Sequence, residues 1–525
     1  MAINAVRAST RAVKKRRKRG IRIWMPAVIC AVLFAAAGTF GYDYYSGRLG
    51  LIGPQFEVVE SNGGRVIKVP PGGNLQGALE AANGGDIVEL QAGAVYSGQI
   101  NLPSKALTDY VTIRSSSAEN LPVDKRITPA QKQYMATIVS GMLGRAAVMA
   151  SNGANHYRFV GIEFTTTSSL YNYGLVVLGN AESRPERVPH DIEIDRSYVH
   201  PNSTGKTRRG IALNSANTTI KNSYIEGFGF PLEESQGICG WSGTRNVKIL
   251  NNYIEGGAEN IMFGGSDPAN VELIPDNIEI RGNHLSKPKE WSEKATVKTL
   301  FELKDAKHVV FASNYLENNW KGSAFRVTVR DQDGSAKFST IEDVSIRDNV
   351  IKGSGDGVNI LGKDDTYESQ TLKRLTIENN LFIDIKGDRP GFEGSGYFLQ
   401  IADGEDITVA NNTVFNSGNI VTFYGTMPRR FLFRNNITGH GNYGVHGLAD
   451  LRSEAARDMF VDNVFMNLNG VSPGDYAFPQ GNAMVRDARE VGFVNAGGGD
   501  FRLAANSKFI GKGSNIALPD AARSE

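Results

Sequence analysis

Two short β-type runs carry charge where an ordinary strand would not. Leu-Phe-Glu-Leu-Lys places Glu302 two residues before Lys304, and Ala-Phe-Arg-Val-Thr-Val-Arg places Arg326 four before Arg330. Alternate residues of a strand share a face, so Glu302 and Lys304 point the same way. Lysine and arginine on adjacent strands suit proton transfer beside a carboxylate: a base takes the proton, a cation holds the developing charge and an acid protonates the departing oxygen. Glu259, Asn260 and Glu302 offer oxygens to a Ca²⁺ ion, although no spacing signature demands one. Asp331-Gln332-Asp333-Gly334 reads as a turn before it reads as a calcium loop. Asp364-Asp365 lies far from Gly439-His440-Gly441, which disfavours a hydrolase with two acids. His284 and His308 have no third partner at metal-ligand spacing.

These residues are positioned by a repeat. One phrase, a β-type run ending in Asn or Ser and then an aromatic or aliphatic residue, recurs as DIEIDRSYVH from Asp191, NVKILNNYIEGG from Asn246, DVSIRDNVIKGS from Asp343 and DITVANNTVFNS from Asp406. Its polar marker falls at Ser197, Ser223, Asn252, Asn283, Asn314, Asn349, Asn380, Asn412, Asn436 and Asn463, at intervals of 24 to 35 residues. Constant strands with loops of varying length describe a solenoid, and copies running in one direction stack into a parallel sheet. The recurrent Asn can accept a tight bend and bond its counterparts above and below. At ~4.8 Å per rung, ten to thirteen rungs make a rod on the order of 50–60 Å long.

A second strand follows in each interval, as GIALNSA, GICGWSG, NIMFGGS, LFELKDA, AFRVTVR, GVNILGK and YFLQIAD. Aligning these puts Ala212, Cys239, Met262, Glu302, Arg326, Asn359 and Gln400 in one outward column. Asn214, Trp241, Gly264, Lys304 and Thr328 fall two residues on. Asn359, Gln400, Arg330 and Glu302 are therefore expected to touch a ligand lying on this face. Trp241, Trp291 and Trp320 could stack on sugar rings. A charge ladder that only stabilises stacked strands is the alternative.

A solenoid end needs a cap, and Leu75, Ala78, Leu79 and Ala82 predict an amphipathic helix ending at Gly84-Gly85. Upstream, Lys14 to Arg19 are all basic and Ile23 to Tyr42 is uncharged. Twenty such residues span a bilayer as a helix, and the basic flank keeps the N-terminus cytoplasmic. The length favours an uncleaved anchor over a signal peptide, for which Ala35 to Gly38 could supply a cleavage site. The expected organisation is a basic segment 1–22, an anchor 23–42, a tether 43–65, a β-helix 66–512 and a tail 513–525, with residues 115–135 as loop or weakly ordered chain. The bulk of the chain is expected at the membrane's outer side, in the periplasm or at the cell surface. Cys30 and Cys239 cannot plausibly pair, and thiolate metal sites are excluded. With 57 Lys+Arg against 55 Asp+Glu, nothing in the net charge calls for nucleic acid.

The capping phrase NLQGALEAANGGDIVELQAG and the closing phrase DFRLAANSKFIGKG resemble those of the pectate-lyase-like superfamily of right-handed β-helix proteins, over roughly Val66 to Ile510. The cap is similar to that of the alginate lyase and chondroitinase B family. That resemblance implies an all-β, single-stranded right-handed parallel β-helix acting on an acidic polysaccharide, with Lys304 as base and Arg326 as acid or carboxylate clamp. The match is partial: the family's Lys follows its acidic residue at a longer spacing, and its Arg-His-Gly phrase is here Arg326-Val327-Thr328. Phrases such as QGICGWSG and ENIMFGGSDP also resemble a large group of bacterial β-helix proteins with no established activity. The same fold carries lyases, hydrolases, epimerases and adhesins. Two expectations stand side by side, elimination from a uronate polymer and a non-catalytic β-helix that binds glycan or a partner.

Overall fold

The computed structural model describes residues 55–61, 64–140, 144–167, 171–202, 206–229, 233–292, 294–448, 453–467, 470 and 478–514. The predicted anchor at 23–42 and its basic flank lie outside these residues. Among the described residues no helix is long and apolar enough to cross a membrane.

Each coil contains three strand segments, where the sequence required at least two. One coil runs Asp276–Arg281, His284–Ser286 and Thr299–Leu303; the next runs Ala306–Ala312 and then Tyr315–Thr328, a continuous strand that turns from the second face onto the third. The first segments stack into a 15-stranded sheet and the others join in a 24-stranded one. Neighbours pair in parallel in both, except Glu57–Ser61 with Gly64–Val69, an antiparallel hairpin that opens the first sheet. Crossovers between parallel strands are right-handed in roughly 98% of cases. The hairpin takes up part of the expected tether, because its strands are too short and mixed to announce themselves by alternation.

The segmentation follows from one corner. Asn222, Asn251, Ser313, Asp348, Asn379, Asn411, Asn435 and Asp462 all have φ between 53° and 59°, the left-handed conformation that turns the chain through the end of the first strand. The next residue is the recurrent Asn, or Ser223 after Asn222, and it is buried. Asn349 is representative. Its Nδ2 donates to the Phe311 carbonyl at 3.0 Å and to Asn380 Oδ1 at 2.9 Å, while its Oδ1 accepts from Asn314 N at 2.9 Å. The same bonds repeat from Asn252 to Asn463 and continue to Asn482, one rung beyond the sequence reading.

Inside the coils, Ile, Val, Leu and Phe form one continuous core, with rings at Phe301, Phe311, Phe325, Phe382 and Phe398 in contact. The cap is present: Leu75–Ala81 is helical, Asn74 Oδ1 accepts from Gly77 N, and Leu75, Ala78 and Leu79 are buried. Residues 115–135 are not loose chain. They form two 3₁₀ turns, and Leu121, Ile127 and Met135 pack on Tyr198 of the second face. There Tyr224 and Tyr253 stack at 4.3 Å, followed by His284 and Tyr315.

Asn349→Ala leaves the Asn314 amide and the Phe311 carbonyl unsatisfied in the interior, so it should cost about 3 kcal/mol by urea denaturation. Asn379→Gly, at the neighbouring position that chiefly needs the left-handed backbone, should cost below about 1 kcal/mol. Equal costs would show that the bend, rather than the buried amide, carries the corner.

Candidate functional site

The outward column read from the sequence is the column in the structure. Ala212 pairs with Cys239, Cys239 with Met262, Met262 with Glu302, Glu302 with Arg326, Arg326 with Asn359, and Asn359 with Gln400; Thr422 follows. Its early part is apolar and covered: Val177, Ala212, Cys239, Trp241 and Met262 form a separate buried cluster. Trp241 is only 8% exposed and Arg209 lies over its ring at 4.8 Å, so it has no free face for a sugar. Trp320 is buried as well.

Where the column becomes charged, a loop supplies the partner. Lys298 Nζ lies 3.1 Å from Glu259, 2.9 Å from Glu302 and 3.6 Å from Glu234, and Glu259 also accepts from Gln236 Nε2 at 2.8 Å. Glu259 and Glu302 are almost wholly buried. Burial and then the Glu302 charge push the Glu259 carboxyl up. Burial pulls Lys298 down, but Glu259 and Glu302 outweigh it and raise its pKa. Asn260 is engaged elsewhere: its Nδ2 donates to the carbonyls of Ile254 and Ser286, and its Oδ1 accepts from the buried Lys287. Lys287 Nζ also bonds the carbonyls of Gly256 and Gly257 at 2.7 Å. The residues expected to hold Ca²⁺ therefore do not fit the ion, because the Lys298 ammonium already lies between Glu259 and Glu302 and Asn260 Oδ1 is taken up by Lys287.

Lys304 and Arg326 are on the expected face, on neighbouring rungs. Lys304 is half-buried and follows Glu302 by two residues, and Arg326 Nη2 lies beside Gly322. Among the described residues neither side chain has an ion pair or a hydrogen bond, and Arg326 Nε is buried without an acceptor. Arg330 is committed, pairing with Asp364 at 3.1 Å and with Asp365. That contact fastens a loop, so Arg330 does not reach toward a ligand. Asp331-Gln332-Asp333-Gly334 is a turn: Asp331 Oδ1 accepts from Gly334 N and Ala336 N.

Around Arg326 the structure gathers groups the sequence reading missed. Tyr397 Oη and Ser323 Oγ share a hydrogen bond of 2.8 Å, and Asp356 Oδ1 accepts from Ser395 N at 2.7 Å. Asn359 Nδ2 donates to Gln400 Oε1 at 2.8 Å. Residues 386–396 bring Tyr397 here by crossing back over earlier rungs, where Glu393 N donates to the Trp320 carbonyl and Lys321 pairs with Glu393. Burial, and then the Asp356 charge, raise the Tyr397 phenol, so it stays protonated; burial also raises Asp356. Beyond Arg326 the face opens into a cleft of ≈ 550 Å³ lined by Tyr397, Gln400, Asn419, Thr422, Tyr443 and Asp388. An unpaired guanidinium beside a neutral phenol and a row of amides can hold a carboxylate and the hydroxyls of a sugar chain.

The pattern of the family described as periplasmic copper-binding protein (NosD) matches residues 290–475. No curated protein matches the sequence. An alginate lyase from Paenibacillus sp. str. FPU-7 is 16% identical over 60% of this chain and 94% of its own, with a TM-score of 0.41. PfbA, a surface adhesin of Streptococcus pneumoniae, is 12% identical over 71% and 87%, with a TM-score of 0.48. A mannuronic acid specific polysaccharide family 6 lyase from human gut microbiota is 14% identical over 76% and 91%, with a TM-score of 0.40. The fold itself stands on the strand register: the chain is a right-handed parallel β-helix protein.

Lys298→Met strands Glu259 and Glu302 without their cation and should cost about 3–5 kcal/mol at pH 8. The Glu259 carboxyl, already raised by burial, stays above its unfolded value, a shift that adds stability only below that value and is lost as pH rises. The deficit should therefore shrink as pH falls toward about 4. Urea denaturation across pH reads this, and a deficit independent of pH would assign the loss to packing of the lysine stem.

Proposed function

We propose that this protein binds an acidic polysaccharide along its third face, with Arg326 as the carboxylate contact. The supporting observation is the Arg326 guanidinium itself, which has no acceptor among the described residues although its Nε is buried. A buried donor without a partner is costly unless a ligand completes it. Asn359, Gln400 and the cleft beyond them continue the contact along the rod, where amides and Tyr443 meet hydroxyls and ring faces.

Cleavage of the bound chain by β-elimination is a second reading, favoured by Tyr397. In it Arg326 neutralises the uronate carboxylate, which makes the adjacent carbon acidic. Lys304, the unpaired amine of the neighbouring rung, takes the proton, and the protonated Tyr397 phenol supplies one to the leaving oxygen. The protein acts outside the cytoplasm, tethered by residues 23–42; the basic flank of that segment supports this placement, as does the periplasmic description of the NosD family matched by residues 290–475.

Two measurements on alginate, pectate, chondroitin and bacterial exopolysaccharides separate these statements. Arg326→Ala should weaken binding at least about tenfold, the loss of one charge-assisted contact; unchanged binding on every polymer would remove this face from consideration. Elimination should produce the ultraviolet absorbance of an unsaturated uronate, abolished in Tyr397→Phe and Lys304→Ala while binding persists. Binding with a flat absorbance trace would leave a glycan-binding protein without lyase activity.

A further inference from the structure

Away from the third face, the left-handed corner at the start of the first-sheet strands carries a second outward column. Tyr110, His156, Asp191, Asn217, Asn246, Asn277, His308, Asp343, Arg374, Asp406 and Arg430 follow one another up it, as the paired strands require. Higher up, several steps of this column are bonded rung to rung. Asn246 Nδ2 donates to Asn217 Oδ1 and Asn277 Nδ2 to Asn246 Oδ1, and Arg374 pairs with Asp343 as Arg430 does with Asp406. Between His156 and Asp191 there is no such bond. Instead a nitrogen of His156, a nitrogen of His190 and a carboxylate oxygen of Asp191 lie within 4.8 Å of one another, all part-exposed.

The tautomers of both rings are fixed by their neighbours. Asn155 Nδ2 donates to the carbonyls of Lys105 and Gly153, so its Oδ1 is the atom facing His156 Nδ1 at 2.8 Å and must accept from it. His190 Nδ1 faces the Asp191 carboxylate at 2.5 Å and donates to it. In the metal-free chain each ring therefore carries its proton on Nδ1; His156 presents Nε2 as a bare lone pair, and an entering cation takes the place of the proton between His190 Nδ1 and Asp191, that proton moving to Nε2 of the His190 ring. An imidazole oriented by an oxygen acceptor on its other nitrogen is how protein metal ligands are held. Two imidazoles and a carboxylate suit a borderline divalent transition ion, whereas Ca²⁺ and Mg²⁺ prefer an all-oxygen set. The positive charge nearest the group, Arg158, is held by Glu193 at 2.9 Å and lies over the Tyr110 ring. Tyr110 packs its ring edge-on against His156.

We propose that His156, His190 and Asp191 form a binding site for one divalent transition ion of the Zn²⁺ or Cu²⁺ type, with water completing its coordination. The ion ties the two neighbouring coils together at this corner. This site is independent of the glycan face, and its readouts do not involve polysaccharide.

The test titrates the chelator-stripped full chain with Zn²⁺ and Cu²⁺ by calorimetry and records the electron paramagnetic resonance of the Cu²⁺ form. One ion per chain and a spectrum with two nitrogen ligands are expected. His156→Asn, which tolerates the left-handed backbone, and His190→Gln should each weaken binding at least about tenfold, with metal-free melting temperatures unchanged. His446→Asn, at an exposed histidine elsewhere, should leave affinity as it is. Absence of saturable binding, equal affinity in the His156→Asn/His190→Gln double variant, or fewer than two nitrogens on the wild-type copper overturns the proposal. The nitrogen count needs no variant and decides the matter even if a substitution disturbs folding.

Discussion

The hydrogen bonds of the buried asparagine corner are the constraint on which the rest of the molecule depends. A strand that must turn sharply inside a stack of parallel strands leaves backbone groups facing the core, where water cannot satisfy them. The Asn side chain supplies both missing partners at once, donating to a carbonyl of the preceding coil and accepting from the Asn amide of that coil. Because each link is made between coils, the corner fixes the register of every rung relative to the next. The outward columns are consequences of that register. Side chains more than twenty residues apart in sequence become neighbours at strand spacing, which is how Glu302, Arg326, Asn359 and Gln400 come to share a face.

On that face the charges divide into two groups with different fates. Glu259, Glu302 and Lys298 satisfy one another in a buried cluster and hold a loop against the rod. Arg326 is left over, and its neighbours Tyr397, Ser323 and Asp356 are engaged with one another or with backbone rather than with it. Buried ion pairs are poor sources of net stability and costly to break, so the first group reads as architecture. The second group, with an unspent donor, is where a ligand would be recognised.

Much of this was legible in the sequence, for physical reasons that also mark where legibility ends. The marker Asn and the alternation of the second strands gave the column correctly because strand periodicity and parallel stacking leave little freedom. Lys298 and Tyr397 escaped because both come from loops whose paths depend on the contacts they make, not on a period. Of the residues read as calcium ligands, Asn260 is taken up by Lys287 and an ammonium sits between Glu259 and Glu302; composition alone does not show which side chain reaches across. Trp241 was placed at the right position, but the covering loops that bury it are invisible to an alignment of strands. Residues 115–135 lack periodicity because they are an arm that packs through a few apolar residues, not because they are loose.

The column on the third face changes character along the axis, from the covered apolar residues Val177, Ala212, Cys239 and Met262 to Glu302 and Arg326 and then to Asn359, Gln400 and Thr422. An elongated molecule laid on such a surface cannot be turned end for end without exchanging its chemistry at both extremities. The rod is in that sense a one-way track, with a distinct head and tail even though every rung is built to the same plan.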